Sequence, residues 1–155
     1  MFAVILGIGN SLIAQDEVPY SRGSGFVFRP EVYGGLFLNA GYQFNPYFQI
    51  SLGLGPGLLL MQKQTYNSTS LSYDIDATMF YQAGVRVYPR KGTWSSMFDY
   101  HARYAKYKEN NIYSHTIVGG ASYKNLDFGG GLNISSFAGQ IGFGFVVTVG
   151  WNFRL

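Results

Sequence analysis

The side chains of this sequence that could do chemistry are charged groups spaced two residues apart in otherwise apolar segments. Arg29 and Glu31 have this spacing, and so do Asp99, His101 and Arg103. Residues two apart in a β-strand lie on the same face, so each set would point to one side of its strand. We predict that these side chains and others of the same kind meet as one polar network. Its members are Arg29, Glu31, Asp74, Asp76, Arg86, Asp99, His101, Arg103 and Asp127.

Two kinds of chemistry are open to such a network. Its acids and bases could line a proton path, an ion path or a ligand pocket, or they could neutralise one another as a polar plug. An unpaired buried charge is very costly, and a small closed sheet is only wide enough inside for side chains. We therefore expect a plug of ion pairs. Arg86 and Asp99 would be neighbours across a turn at residues 89–92, and Arg103 would lie nearer Asp76 and Gln82.

The sequence offers no set of residues for catalysis, metal binding or cofactor binding. Ser114 and His115 are adjacent, so in a strand they would point to opposite faces and could not pair directly. A lone histidine such as His101 is no metal site, and cysteine is absent. The net charge of +3 is small and scattered, which argues against nucleic acid as a partner. We expect a protein that is not an enzyme and needs no cofactor.

The elements that would position the polar network are β-strands, and the clearest one ends the chain. From Gln140 to Leu155 the odd positions are apolar and the even positions are polar or small, apart from Val146. A period of two over this length predicts a strand with one apolar face. Strands of soluble proteins usually have about 5–6 residues. A strand that crosses a bilayer at a tilt is longer, and this segment has the length to do so.

The composition points to the same class of protein. Aromatic residues make up 18% of the chain and charged residues 12%, about half of the roughly 25% that is typical of soluble proteins. The mean hydropathy is nevertheless only +0.04. The sequence has no run of about 18–20 apolar residues that would predict a membrane-spanning helix. These values fit a barrel in which a lipid-facing and an interior face average out.

Turn-forming residues divide the chain into strands and predict an all-β fold: an eight-stranded antiparallel transmembrane β-barrel with an up-and-down meander. Pro89 to Gly92 and Lys124-Asn125 are two such turns, of kinds that interrupt strands. An even strand number brings both chain ends to one side, as in single-chain bacterial barrels. The predicted strands cover residues 24–33, 36–44, 47–62, 73–88, 94–107, 112–123, 126–135 and 140–155.

Aromatic residues gather where the predicted strands end. Rings with one polar edge suit the two interfaces of a bilayer, so these residues are predicted to form aromatic girdles. The girdle on the side of the chain termini, which we expect to be the periplasmic side, would consist of Phe44, Tyr47, Phe48, Tyr88, Trp94, Trp151 and Phe153.

The start of the chain differs from the rest. Residues 1–14 are largely apolar and end at Ala14, before a polar stretch that contains Asp16 and Glu17. This pattern predicts a signal-peptide remnant at 1–14, an N-terminal linker at 15–23 and the transmembrane barrel at 24–155. The alternative is that the first segment forms a strand or a buried helix of the fold.

Two segments resemble a known family. Gly41 to Phe48, followed by Leu52-Gly53-Leu54-Gly55, is similar to the porin-like outer-membrane β-barrel domain family. Val149 to Phe153 resembles the closing strand of that family, which the barrel-assembly machinery reads. The resemblance implies a location in the bacterial outer membrane. It also implies the lipid bilayer, outer-membrane lipids and the assembly machinery as partners.

The resemblance specifies a fold more than an activity. We expect a small outer-membrane barrel with a structural or surface-interaction role, such as envelope integrity or adhesion, and an interior closed by ion pairs. Two alternatives stay open. A lipid A-modifying enzyme would need a catalytic set at the rim of the barrel. A narrow channel, or a carrier of small hydrophobic ligands, would need a continuous lumen.

Overall fold

The computed structural model describes residues 22–64 and 71–155, and it describes side chains there except at 59–64 and 71–74. The predicted signal-peptide remnant, most of the predicted linker and the side chain of Asp74 lie outside the described residues. The strands are β1 (Gly25–Val32), β2 (Leu36–Asn45), β3 (Phe48–Gln64), β4 (Leu71–Val87), β5 (Trp94–Tyr107), β6 (Asn110–Tyr123), β7 (Leu126–Phe137), β8 (Gln140–Trp151) and β9 (Phe153–Arg154).

The strands form one antiparallel sheet in which consecutive strands from β1 to β8 pair with each other. β8 and β9 both pair back onto β1, so the sheet closes into a ring with eight strand positions. Nowhere in the described chain is there a helix of the length and apolar character needed to cross a membrane. The predicted all-β class and the antiparallel meander of eight strands are confirmed.

The two ends of the ring differ in what they contain. The lower end, as we call it, holds the start of β1 and the end of β9. The upper end holds the hairpin turns at Gly34-Gly35, Lys108-Glu109 and Ala138-Gly139. Gly34 has a φ of 58°, a left-handed conformation that glycine adopts without steric cost. The Gly-Gly pair therefore makes the tight hairpin between β1 and β2.

The last strand position is divided between β8 and β9 at Asn152. β8 pairs with β1 above this point and β9 pairs with β1 below it, in one continuous register. Pro30 of β1 lies opposite the interruption, and it has no N–H to donate across the seam. A proline inside a strand predicts such an irregularity, and the structure places it where the ring closes.

Side chains alternate between a buried inner face and an exposed outer face. On β8, Val147 is 73% exposed and Thr148 is 1% exposed. β6 alternates least clearly in sequence, yet its burial also alternates along most of its length. The apolar face of each strand therefore forms the outer surface of the ring, and the face with polar or small residues lines the interior.

The inner face has two layers. The upper layer is apolar and includes the buried side chains of Phe37, Phe80, Ala105 and Ile112. The lower layer holds most of the buried charged side chains. The apolar layer covers the charged one from above, so the charged side chains lie deep within the ring.

Candidate functional site

Six buried side chains form what we call the charge cluster, in the lower layer of the interior. They come from four strands because inward positions of β1, β4, β5 and β7 lie at the same height. Each is at most 3% exposed. All six belong to the predicted polar network. They are Arg29, Glu31, Arg86, Asp99, His101 and Asp127.

Arg86 lies at the centre of the charge cluster. Its Nη2 donates to Oδ2 of Asp99, and its Nη1 donates to Oδ2 of Asp127 at 2.6 Å. Oε1 of Glu31 lies 3.6 Å from Nη2. Arg86 and Asp99 are directly paired across β4 and β5, which is the contact that the turn at 89–92 predicts. One guanidinium therefore contacts three carboxylates.

Arg29 brings a second guanidinium to the same carboxylates. Its Nη2 donates to Oε1 of Glu31, and its Nη1 lies 3.8 Å from Oδ2 of Asp99. Nε2 of His101 is 2.9 Å from the same oxygen of Asp99. Each carboxylate of the cluster thus has at least one cationic neighbour, which offsets the cost of burying it.

Neutral side chains supply further hydrogen bonds to two of the carboxylates. Thr148 Oγ1 donates to Oε1 of Glu31 at 2.6 Å. Asn152 Nδ2 and Tyr88 Oη donate to Oδ2 of Asp127 at 2.6 and 3.0 Å. Because Thr148 and Asn152 lie in the last strand position, these bonds link the charge cluster to the seam of the ring.

Two glycines make room for the long side chains of the cluster. A Cβ at Gly150 would lie 2.5 Å from Nε of Arg29, and a Cβ at Gly84 would lie 2.7 Å from Nδ1 of His101. Both distances are shorter than real Cβ contacts allow. Inward glycines opposite a charged residue are therefore a sequence signal that could have located the charge cluster more closely.

Arg103 lies above the charge cluster and is connected to it through two amides. Its Nε donates to Oε1 of Gln82 at 3.0 Å. Gln82 donates to Asn39, and Asn39 Nδ2 lies 3.3 Å from Oε2 of Glu31. Arg103 is thus part of the interior polar network, as predicted, although within the described residues no carboxylate lies within 4.0 Å of it.

Aromatic rings take the place of a carboxylate at Arg103. Its guanidinium carbon lies 3.6 Å from the ring centre of Tyr33 and 4.5 Å from that of Phe37.

The predicted proximity of Arg103 and Asp76 is wrong. Asp76 is exposed near the upper end of β4 and accepts a hydrogen bond from Tyr107, because the interior is open at that height.

The prediction that Tyr88 belongs to the aromatic girdle at the lower end, the side of the chain termini, is also wrong. Tyr88 is fully buried and its hydroxyl donates to Asp127, because it follows Arg86 by two residues and shares its inward face. The other six rings lie on the outer face, five of them more than 40% exposed and Phe48 half-buried. They are Phe44, Tyr47, Phe48, Trp94, Trp151 and Phe153.

Sequence reasoning missed Arg22. This residue belongs to the predicted linker, but it is 2% exposed and closes the lower end of the interior. Its Nη2 donates to Oγ of Ser122 at 2.6 Å, and its guanidinium carbon lies 4.0 Å above the ring of Tyr88. No periodicity precedes β1, so nothing in the sequence pattern indicates that Arg22 turns inward.

Glu31, Asp99 and His101 each offer one ligand atom within 4.8 Å of the others, the spacing of a metal site. The donor set does not fit a cation, because the guanidiniums of Arg29 and Arg86 already contact both carboxylates. A metal ion there would face two fixed positive charges. The arrangement instead suits charges that neutralise one another.

Ser114 and His115 point to opposite sides of the ring wall, as their adjacency predicts. Ser114 faces inward and donates to Asn133. His115 faces outward, where its Nδ1 lies 2.8 Å from the hydroxyl of Tyr100. In this geometry His115 cannot act as a base for Ser114.

Comparison of this chain with protein-family models, with curated proteins and with solved structures gives no match.

Proposed function

We propose that this chain is a small outer-membrane β-barrel with a structural or surface-interaction role, such as envelope integrity or adhesion, and that the charge cluster closes its interior. The observation that carries the proposal is an inverted distribution of polarity. Arg29 and Arg86 are 1% and 2% exposed, whereas Phe143 and Phe145 are 80% and 91% exposed. Proteins in water bury the apolar side chains and expose the charged ones. An apolar outer surface is the arrangement that suits hydrocarbon.

The strand register supports a barrel of ordinary proportions. One circuit of the ring along paired positions returns to β1 about ten residues further along that strand, which is the shear number of the sheet. For eight strands, a shear number of about ten corresponds to a strand tilt of about 40°. Membrane barrels have strand tilts of about 35–45°. Such a ring leaves an interior that side chains can fill.

The outer apolar surface has a suitable height. At about 3.3 Å per residue and a tilt of about 40°, the stretch of β5 from Trp94 to Tyr104 spans about 25 Å, which is the height of the apolar band in membrane barrels. Trp94 packs against Tyr123 at the lower end, and Tyr104 packs against Tyr113 higher up. Aromatic pairs at two levels fit the two interfaces of a bilayer.

The charge cluster favours a closed interior over a channel or a carrier. Arg86 contacts carboxylates of β5 and β7, so its side chain reaches across the interior. Phe37, Phe80 and Ile112 are buried above it. A continuous lumen would require several of these contacts to open together. The enzyme alternative lacks a base paired with a nucleophile at Ser114 and His115, so the structural role has the better support.

Partners follow from the same proposal. Outer-membrane lipids would contact the apolar face, and the barrel-assembly machinery would read the last strand. Val149 and Trp151 of that strand are exposed on the outer face, as a lipid-facing closing strand requires. The resemblance of the terminal segment to the closing strand of porin-like outer-membrane barrels supports this route of insertion.

Arginine substitutions on the two faces of β8 test the membrane location. Val147 is 73% exposed on the outer face, so Val147→Arg should destabilise the protein by about 2–4 kcal/mol near the middle of a bilayer. Gly144→Arg is the matched control, because Gly144 faces inward and a Cβ there meets nothing within 4 Å. The measurement is urea unfolding of the protein refolded into lipid vesicles.

The same pair of variants can contradict the proposal. Equal losses for Val147→Arg and Gly144→Arg would show that the outer face does not lie against lipid. Thr148 is unsuitable as the control, since it is buried and bonded to Glu31. Single-channel recording in planar bilayers tests the closed interior separately: we expect no steady conductance, and a large stable one would favour the channel alternative.

A further inference from the structure

The two ends of the ring expose different charges. The lower end exposes three cationic side chains on two turns, Arg90, Lys91 and Lys124, which we call the basic rim. Within the described residues no carboxylate side chain is exposed at that end, because those of the lower interior are buried in the charge cluster. The exposed charges described at the upper end are of both signs and cancel. They are Lys106, Lys108, Asp76 and Glu109.

The two turns of the basic rim lie against each other. Lys124 N–H donates to the carbonyl oxygen of Thr93 at 2.8 Å, so the turn after β6 contacts the turn before β5. The ladder between β5 and β6 continues this contact upward from the pair Trp94–Tyr123. The basic rim is therefore one continuous stretch of the lower edge of the ring.

Both lysines of the basic rim lie over tyrosine rings of the outer wall. Nζ of Lys91 is 5.5 Å from the ring centre of Tyr47, and Nζ of Lys124 is 5.4 Å from that of Tyr123. Trp94 packs against Tyr123 with the ring centres 4.7 Å apart. A lysine whose stem follows apolar surface at a bilayer interface keeps its ammonium group among the lipid headgroups. The basic rim thus combines fixed positive charge with rings that suit the interface.

We propose that the basic rim binds the headgroup phosphates of anionic phospholipids in the membrane leaflet at the lower end. The phosphate lies beside the ammonium groups of Lys91 and Lys124, and the acyl chains lie along the apolar outer wall above Trp94. Each basic residue near an anionic lipid surface strengthens binding about fivefold. The inference rests on the proposed membrane location and adds the class of lipid that the lower end selects.

A phospholipid fits the basic rim better than an acidic protein does. Tyr47 and Trp94 are exposed on the outer face, and Phe98 continues the same apolar surface upward. One phospholipid covers cations and rings together, because its phosphate and its acyl chains belong to a single molecule. An acidic protein that approached from below would meet the lysines and leave the rings uncovered.

Quenching of tryptophan fluorescence by brominated lipids tests the inference. The chain has two tryptophans, so Trp151→Phe leaves Trp94 as the single reporter beside the basic rim. The full 155-residue chain with this change is refolded into mixed vesicles of phosphatidylcholine and phosphatidylglycerol, in which one lipid or the other is brominated. Trp94 should show a preference for phosphatidylglycerol of about fivefold. High salt should reduce the preference, because salt screens exposed charges.

Lysine variants show whether the basic rim is the source of this preference. The double variant Lys91→Gln with Lys124→Gln should abolish it. Lys108→Gln is the matched control and should leave it unchanged. Lys108 lies over the ring of Tyr107 at 5.0 Å and has a positive φ in a hairpin turn, as Lys124 does, but it belongs to the upper end. All three lysines are exposed, so the variants should fold.

The same readout separates this inference from the proposed function. If brominated phosphatidylcholine quenched Trp94 in no variant, the membrane location itself would be contradicted. Quenching by both lipids with equal affinity would overturn the lipid site alone, and so would a preference that survives in the double variant. An equal loss of preference in Lys108→Gln would overturn it as well, since net charge would then select the lipid. Binding of polyglutamate without a lipid preference would make an acidic polypeptide the occupant.

Discussion

The lower and upper halves of the interior bury arginine in different ways. In the lower half, Arg86 contacts the carboxylates of Asp99 and Asp127. In the upper half, Arg103 lies over the rings of Tyr33 and Phe37. The lower arrangement compensates charge with charge, and the upper one compensates it with the negative faces of aromatic rings.

The difference shows in which half the loss of a single side chain should destabilise the protein most. Removal of one partner from a buried ion pair leaves the other charge uncompensated, which costs more than the pair contributes. Removal of the guanidinium of Arg103 leaves two aromatic rings and the amide oxygen of Gln82, but no uncompensated charge. The lower half should therefore be far more sensitive to substitution than the upper half.

The largest expected effect belongs to Arg86. Arg86→Ala should destabilise the refolded protein by about 3–5 kcal/mol, because Asp99 and Asp127 would lose their shared cation in a buried site. The measurement is urea unfolding in detergent, with the exposed Lys106→Ala as the control. A loss no larger than that of the control would show that the charge cluster does not hold the interior together. Single-channel conductance should stay unchanged.

A smaller effect is expected at Asp127. Its Oδ2 accepts bonds from Arg86, Tyr88 and Asn152. Asp127→Asn keeps the shape of the side chain and removes its charge, which should cost about 1.5–3 kcal/mol, the range for hydrogen bonds to charged groups. The same unfolding assay measures it. A loss equal to that of Arg86→Ala would mean that Asp99 contributes little and that Asp127 is the main partner.

Substitution of Arg103 should lower the free energy of unfolding less than substitution of Arg86 or Asp127. Arg103→Ala should cost about 1–2 kcal/mol, the range for a partly desolvated guanidinium over aromatic rings. Arg103→Lys keeps the charge but not the planar group, so it should recover little of the loss. If Arg103→Ala destabilised the protein as much as Arg86→Ala, the contrast between the two halves would not hold.

The smallest effect is expected at Asp76. It is exposed at the upper end and hydrogen-bonded to Tyr107. Asp76→Asn should change the free energy of unfolding by less than about 0.5 kcal/mol, as is usual for surface positions. A larger loss in the urea assay would place Asp76 in the polar network after all.

Much of the fold could be predicted because a period of two fixes which side of a strand each residue faces. The pair Arg86–Asp99 followed from the position of a single turn, and six of the predicted network residues meet in the charge cluster. The same periodicity explains the error at Tyr88. We assigned that residue from its place at a strand end, although its spacing from Arg86 places it inside.

The sequence pattern does not show how far up the ring each inward side chain lies. Asp76 shares the inward face with Gln82 and Arg86 but lies above the closed part of the interior. Arg22 lies before the first strand, where no alternation marks an inward position. Whether an inward side chain is enclosed depends on the register of all the strands around it, and the register depends on pairings between distant segments.

The pairing of the last strand with β1, which closes the ring, also bears on the order in which the strands pair during folding. Among the described strands, all the other ladders join strands that follow each other in the chain, so each can form as the chain lengthens. The hydrogen bond from Thr148 to Glu31 spans 117 residues, and a loop of that length is slow to close. Arg29 and Glu31 must therefore wait for the last strand before the interior around them is complete. The pair Arg86–Asp99 can form within the hairpin of β4 and β5, but burial of the whole charge cluster is complete only when the last strand pairs with β1, so closure of the ring is the step that ends assembly.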